Sequence, residues 1–386
     1  MKKKVLITII VFFLLYLILI IYASNYHTDN GIPIVDIRLN KITLRDIHNN
    51  SKSIKYENNI MTIDNNKYNI TIKGRGNATW ELIKRPYQIS FDEKTSILDL
   101  EESKKYILLA NYVDPSLLRN DFTFKVASKM DLKYSNIGKY IDLYVDKKYI
   151  GNYYLVPQVN INSSSVDIKD NNAILMELDN MYYESETYFI TDYYKDHLTI
   201  KDQKNKDNNE GYEAFQNKYN LMEKNIAKKN YKWLKDNIDI ESFIKYYIIV
   251  DFAKNYDSYQ SSFYMYMDGI DDKIHVGPIW DFDNGYDESD ISIPFVRVHP
   301  TILFDELLKI KDFKKDVSSY WSNNACKIYK EEIENLDKTI SYLNESGEMN
   351  SMYWNNKHYS FYTDKFINWV SNRYLEYNKL YGCDES

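Results

Sequence analysis

The sequence predicts an α+β protein, with a β-rich N-terminal lobe over about residues 32–200 and a helical C-terminal lobe from about residue 211. Short apolar segments, separated by Asn, Asp and Lys, indicate strands in the first lobe. In the second lobe the apolar residues recur at helical spacing. The chain has 386 residues, of which 44% are hydrophobic, so it can bury a core large enough for two lobes.

Three lysines over residues 1–4 precede an uncharged run that we predict to be a transmembrane signal anchor over residues 5–23. Its length is close to the roughly 20 residues that span a bilayer as a helix. A cleaved signal peptide is the alternative, although no clear cleavage site follows. The lysines would stay in the cytoplasm, so the tether at 24–31 and the rest of the chain would lie outside.

Composition and cysteine usage exclude some functions. The net charge of −7 disfavours nucleic-acid binding, which needs a basic face. None of the six histidines has ligand spacing with a cysteine, so a Cys/His metal site has no support. Cys326 and Cys383 permit a disulfide but do not require one, and the sequence leaves both that pairing and the oligomeric state open.

Strand patterns follow one another through the first lobe, with one helix between them. The helix pattern occupies 114–130, and we interpret Asp114 and Arg119 as structural residues. Two more strands are predicted near 173–193, and the polar stretch at 201–210 is predicted to be a loop. The earlier strand-like segments are "IPIVDIRL", "KYNITIKG", "RPYQISF", "YILLANY", "KYIDLYV" and "IGNYYLVPQV".

The second lobe begins with a helix after Gly211, followed by a stronger one for which Asp239 is the predicted N-cap. Helical spacing resumes after the acidic motif "WDFDNGYDESD" and continues to the C-terminus. We assign residues 32–325 to one domain. Residues 326–386 are predicted to form a helical extension packed on the helical lobe.

A β-hairpin is predicted between these helical regions. "SSFYMYM" and "KIHVGPIW" have strand patterns, and "DGIDD" between them carries an Asp-Gly turn signal. Asp257 precedes the first strand, Asp281 follows the second, and Asp283 lies two residues beyond. The hairpin would bring these carboxylates to its open end, where they suit a divalent metal and a proton acceptor. The alternative is a capped helix end and an acidic loop.

Several ordered segments resemble the CotH family of atypical, kinase-like proteins over roughly residues 32–325. They are "IKGRGNATW", "KRPYQISFDEK", "LLANYVDPSLLRN", "LYVDKKYIGNYYLVPQV", "NYD" and "WDFD". The resemblance implies an atypical protein-kinase-like two-lobe fold that binds ATP and Mg²⁺ (or Mn²⁺). By position, Asp257 matches the family's catalytic aspartate and Asp281 its metal-binding aspartate. Asp283 is a second candidate metal ligand.

Other candidate cofactor-binding residues lie outside the hairpin. Gly74 and Gly76 would let the backbone approach a phosphate, with charge added by Arg75, although a plain hairpin turn explains them equally well. Lys84 is the candidate phosphate cation, with a solvated strand edge as the alternative. Glu177 would partner a cation or the metal, unless it is an ordinary carboxylate at a strand end.

Three departures from the family's pattern leave catalytic activity open. Gln88 stands where members often carry a basic residue, and Pro157 stands where they often carry Glu. Ser262 lies five residues after Asp257, where kinases commonly place a metal-binding Asn. Ser262 is therefore kept as a weak candidate in the cofactor site.

The function expected from this resemblance is a membrane-anchored kinase. It would transfer the γ-phosphoryl group of ATP to Ser or Thr of a cell-surface or spore-coat protein, with its globular domain outside the cytoplasm. One alternative is a weak or inactive kinase-like scaffold for coat or envelope assembly. Another is a metal-dependent hydrolase or nucleotidyltransferase that uses the same aspartates. The sequence does not identify the substrate.

Overall fold

The computed structural model describes residues 31–135, 137–179, 187–259, 261–287, 303–355 and 358–384. Its N-terminal part contains β1 (Ile34–Arg38), β2 (Tyr56–Ile63), β3 (Asn66–Gly74), β4 (Tyr87–Thr95), β5 (Ser103–Leu109), β6 (Lys139–Val145) and β7 (Lys148–Pro157). They form a closed barrel in the order β1-β2-β3-β4-β5-β7-β6. The parallel pairing of β1 with β6 closes the barrel, so neither strand is left as an edge.

Alternating apolar side chains fill the barrel. Val35 and Ile37 on β1, like Tyr87, Ile89 and Phe91 on β4, are buried in one hydrophobic core. A second core lies among the remaining strands, the helices and the barrel's other face. The β-rich part of the chain therefore has an interior of its own.

A second sheet follows the barrel. It contains β8 (Ile174–Leu178), β9 (Tyr188–Ile190), β10 (His197–Gln203), β11 (Phe263–Met267) and β12 (His275–Val276), in the order β12-β11-β8-β10-β9. β8 lies at the centre, so Glu177 is flanked by Thr199 of β10 and Tyr264 of β11.

The prediction of a loop over 201–210 is wrong at its beginning. β10 continues to Gln203, with a register shift between Ile200 and Asp202 against β8. Such a bulge interrupts the alternation of side chains between the two faces of the strand, so the polar residues here do not follow a simple in–out pattern. Lys201 therefore lies within the sheet.

The helices dominate the C-terminal part, and the predicted α+β architecture is confirmed. Asp239 accepts a hydrogen bond from the Ser242 amide and caps helix α5 (Ile240–Ala253), as predicted. α5 is apolar around most of its circumference and is buried along its length. The helices are α1 (Leu44–Asn49), α2 (Arg119–Lys129), α3 (Glu210–Ala227), α4 (Tyr231–Asn237), α5 (Ile240–Ala253), α6 (Leu303–Leu308), α7 (Lys311–Tyr320), α8 (Cys326–Glu334), α9 (Leu336–Trp354) and α10 (Tyr359–Tyr381).

The C-terminal segment contacts both parts of the molecule. Cys326 and Cys383 form a disulfide that joins the start of α8 to the chain after α10. Arg373 of α10 forms a buried ion pair of 3.1 Å with Asp251 of α5. α9 packs on β7 of the barrel, so the extension lies on the barrel as well as on the helical part for which it was predicted.

The predicted signal anchor over 5–23 lies outside the described residues. Within the described ranges, no helix combines the length and apolar character that a membrane crossing requires.

Candidate active site

The predicted hairpin is confirmed, and its open end gathers the aspartates. β11 and β12 pair antiparallel, with Met265 opposite Val276. Asp257 lies before β11 in a short helical turn, and Asp281 follows β12. The side chain of Asn284, three residues after Asp281, donates a hydrogen bond to the Asp257 carboxylate. The two ends of the hairpin are therefore joined by a side-chain contact.

Hydrogen bonds from two Asn side chains to the backbone hold Asp281 in an unusual conformation. Its φ is +65°, a region that Asp tolerates better than most residues and that often marks functional sites. Asn255 Nδ2 donates to the Asp281 carbonyl at 2.8 Å. The Phe282 amide donates to Asn120 Oδ1, also at 2.8 Å. The side chains of Asn255 and Asn120 thus fix both polar atoms of the peptide group that joins Asp281 to Phe282.

Arg119 at the start of α2 holds the next part of the segment. Its Nη1 donates to the Asp283 carbonyl at 2.7 Å, and its Nε lies 3.4 Å from Asp114 Oδ1. Asp114 also accepts from the Arg119 amide at 2.9 Å. Arg119 and Asp114 are therefore structural, and they anchor the aspartate segment to α2.

Asp281 and Asp283 form a coupled carboxyl pair. Burial raises the pKa of Asp283 well above its ordinary value, and the neighbouring Asp281 charge raises it further. Burial also raises the pKa of Asp281. The Asp283 hydrogen bond and Arg75 oppose that shift, while Asp257 and Glu177 add to it. Ionisation of both carboxyls together is therefore unfavourable.

Glu177 forms an ion pair with a cation that the sequence reasoning missed. Lys201 Nζ lies 2.7 Å from Glu177 Oε2 and 5.2 Å from the centre of the Tyr264 ring. Burial alone would lower the pKa of Lys201, but the Glu177 charge outweighs it and raises this pKa above its ordinary value. Lys201 therefore stays charged beside Glu177, which in turn acts on Asp281. The place of Lys201 in a polar stretch gave no signal of this partner.

Arg75 supplies a second cation on the same side. Its guanidinium lies over the Trp280 ring at 5.1 Å from the centre. It acts electrostatically on Asp281 and Lys201, lowering the pKa of each. The predicted residues Arg75, Glu177, Asp257 and Asp283 thus each act on the carboxyl of Asp281.

The two glycines beside Arg75 are required by packing and by the turn. A Cβ on Gly74 would lie 2.4 Å from the Trp80 ring. Gly76 has φ +91°, and its Cβ would lie 2.2 Å from Thr79 Oγ1. These contacts explain both glycines without a ligand, so their approach to a phosphate stays a prediction.

Lys84 lies in a different environment. Its ammonium is 1% exposed and donates to Asn152 O at 2.5 Å and Asn350 Oδ1 at 2.9 Å, between β7 and α9. Burial lowers the pKa of Lys84 to about 7, although Asp142 opposes the shift. The alternative of a solvated strand edge is wrong. The ammonium is also occupied by protein acceptors, so we leave Lys84 out of the candidate phosphate site.

The departures from the family's pattern have ordinary surroundings. Ser262 is partly buried at the start of β11, with φ +60°. Gln88 donates to Ser90 Oγ at 3.2 Å. Pro157 pairs opposite Tyr106 in the barrel. None of these contacts reaches the aspartates.

The donor set fits a metal that is shared with a substrate. Within the described residues, no group of three or more His, Cys, Asp or Glu is arranged to hold a metal ion by itself. Mg²⁺, however, is usually bound through one or two carboxylates together with substrate phosphates and water. The adjacent carboxyls of Asp281 and Asp283 suit that mode, because a cation beside them would favour ionisation of both.

The barrel, the second sheet and the acidic hairpin end bring together a carboxyl pair, a separate carboxylate and the cation Arg75. A family model described as CotH kinase protein matches residues 72–377, so the chain belongs to this family. The resemblance noted from the sequence is confirmed. The match includes the helices after residue 325, which the resemblance had left out. No curated protein matches the chain.

Proposed function

We propose that this protein is a CotH-like protein kinase that transfers the γ-phosphoryl group of ATP to Ser or Thr of a cell-surface or spore-coat protein. The observation that carries the proposal is the convergence of Asp257, Asp281 and Asp283 at the open end of the hairpin, beside Arg75 and Lys201. Membership of the CotH kinase family supports it.

Asp281 and Asp283 would hold Mg²⁺ or Mn²⁺. When bound, such an ion neutralises charge on the nucleotide phosphates. Burial and the adjacent Asp281 charge raise the pKa of Asp283, so ionisation of both carboxyls is unfavourable until a cation binds. The bonds from Asn255, Asn120 and Arg119 keep this segment from relaxing.

Asp257 would orient the acceptor hydroxyl and take its proton. It is only partly buried, so a protein substrate can reach it. Asn284 donates to one carboxylate oxygen and leaves the other for the substrate. Arg75 and Lys201 would neutralise negative charge on the phosphates, and Glu177 keeps Lys201 charged and in position.

The surroundings of the enzyme are also part of the proposal. We infer that residues 5–23 anchor the chain in a membrane, with the globular domain outside the cytoplasm and its substrate in the envelope or spore coat. The scaffold alternative is favoured by Ser262 in place of the metal-binding Asn, because Ser is a weaker ligand.

The test uses full-length protein with Mg²⁺, labelled ATP and casein as a generic acceptor. We expect label transfer, its loss on chelation, and a decrease of about 10²–10⁴-fold in Asp257→Asn and Asp281→Asn. Asp271→Asn is the matched control, because Asp271 is exposed at the closed end of the same hairpin. Absence of nucleotide binding would favour the scaffold, and release of free phosphate or pyrophosphate would favour a hydrolase or nucleotidyltransferase.

A further inference from the structure

A second buried acidic pair lies away from the hairpin, where the turn between β9 and β10 packs against α3. Glu223 of α3 accepts hydrogen bonds at Oε2 from the amides of Tyr193 at 3.0 Å and Tyr194 at 3.2 Å. At the end of the turn, the Asp196 amide donates to Thr191 Oγ1 at 3.0 Å. The two carboxyls lie within electrostatic reach, because the Glu223 charge adds to burial in raising the pKa of Asp196.

Two carboxyl oxygens of this pair, one from each residue, have no hydrogen-bond partner. They are Asp196 Oδ2 and Glu223 Oε1, and the hydroxyls of Tyr194 and Tyr219 are unpartnered as well. Asp196 is 2% exposed, while Glu223 and Tyr219 are fully buried. Buried polar atoms without partners are costly, and in native proteins they commonly indicate a bound water or ion.

No described basic side chain compensates this charge. Within the described ranges, neither Asp196 nor Glu223 forms an ion pair with Lys, Arg or His. The neighbouring charges that act here are also acidic: Asp192 acts on Glu223, and Glu306 of α6 acts on Tyr194. A buried carboxylate pair with only acidic neighbours lacks the cation that such groups require.

We propose that Asp196 and Glu223 form a binding site for a hard divalent cation of the Ca²⁺ type. An all-oxygen donor set selects such ions over thiolate- or imidazole-seeking metals. The two carboxylates supply the charge, and the hydroxyl of Tyr219 with water completes the oxygen shell. Two carboxylates and neutral oxygens are typical of a weak site, with Kd of about 10⁻⁴–10⁻³ M, as in extracellular modules.

The cation would have a structural role. It would fix the β9–β10 turn to α3 just before β10 begins at His197. β10 carries Lys201, whose position beside Glu177 depends on that strand. The cation would therefore help to hold β10 and Lys201 in place. The proposed cation site does not depend on the proposed kinase activity.

Binding is tested directly with Tb³⁺, which replaces Ca²⁺ and emits when excited through nearby tyrosines such as Tyr219. The full-length protein is titrated in an Asp281→Asn, Asp283→Asn background, so that the active-site pair does not contribute. We expect saturable emission that Ca²⁺ displaces, and its loss in Asp196→Asn and Glu223→Gln. Absence of saturable emission, or its persistence in both variants, would overturn the proposal.

A stability measurement keeps the test independent of luminescence. At pH 8, Ca²⁺ at tenfold its Kd should raise Tm by roughly 2–3 °C, and Asp196→Asn should abolish that increase. Glu213→Gln is the matched control, because Glu213 is exposed on the same helix as Glu223, and it should keep the response. If the pair holds only a proton, Ca²⁺ leaves Tm unchanged at pH 8, and the proposal fails.

Discussion

Lys84, which is fully buried, and Lys201, which is partly buried, lie in contrasting surroundings. Lys84 donates to neutral acceptors between the barrel and α9, and burial lowers its pKa to about 7. Lys201 lies on the second sheet, where the Glu177 carboxylate keeps it charged within reach of Arg75. A cation that binds phosphate must be charged at neutral pH, and of these two lysines only Lys201 has a pKa raised above its ordinary value.

The contrast shows that burial alone does not mark a functional lysine. Lys84 contributes to structure because its ammonium satisfies a carbonyl and an amide oxygen of two packed elements. Lys201 has a partner of opposite charge that also acts on Asp281. The same substitution at the two positions can therefore separate a structural role from a role in phosphate binding.

The largest effect is expected for Lys201→Met. The rate of phosphoryl transfer should fall by about 10²–10³-fold, because one charge that stabilises the transition state is lost. The substitution also leaves Glu177 unpaired and should destabilise the fold by about 3 kcal/mol. A double variant with Glu177→Gln removes that penalty. If the double variant recovers both stability and full activity, Lys201 has no part in the reaction.

The sequence predicted one side of this contrast and missed the other. The Asp-Gly turn and the flanking strand patterns were sufficient to bring Asp257 and Asp281 together. Lys201 could not be identified, because its contact depends on the register of β10 against β8 and on a bulge within β10. Pairing between strands separated along the chain leaves no local signal in a polar stretch.

The positioning residues were missed for a related reason. Asn120 and Asn255 each act through one hydrogen bond to the peptide group between Asp281 and Phe282, which is distant along the chain. An Asn in a helix or after one is common, so its residue type does not reveal such a contact. Lys84 was misjudged because strand alternation does not show that α9 covers the barrel at this point.

The matched substitution Lys84→Met should affect stability more than catalysis. The change keeps most of the volume but removes the ammonium donor from Asn152 O and one of the two donors to Asn350 Oδ1, which should cost about 1–3 kcal/mol of unfolding free energy. Denaturant unfolding measures the loss, and the transfer rate at saturating ATP should change less than about threefold. A loss of activity as large as that of Lys201→Met would reverse the assignment of the two lysines.

The pH dependence of stability sharpens the same comparison. The pKa of Lys84 is lowered to about 7 in the folded protein, so between this pH and about 10.5 the unfolded chain binds more protons. The stability contributed by Lys84 is therefore complete at high pH and is lost as the pH falls through about 7. Wild type minus Lys84→Met should show a difference in unfolding free energy that increases from pH 7 to pH 10.

Wild type must be compared with Lys84→Met because His275 changes the stability with pH in the opposite direction to Lys84. Its carboxylate partners raise the pKa of His275 to about 9 against the effect of burial, so its contribution is lost as the pH rises through that value. Both proteins contain His275, and the subtraction removes its effect. A difference that stays constant with pH would show that Lys84 remains charged in the fold.

The smallest effect is expected for Asn284→Ala, at the residue that contacts Asp257 and lies apart from Lys201 along the chain. Asn284 donates to the Asp257 carboxylate and is exposed, so its loss should leave stability nearly unchanged. The maximal transfer rate should fall about 5-fold with the KM for ATP unchanged, since the hydrogen bond orients Asp257 and does not bind the nucleotide. Asn344→Ala on the exposed face of α9 is the matched control. An increase in KM for ATP without a decrease in rate would place Asn284 in the nucleotide site, on the same side as Lys201.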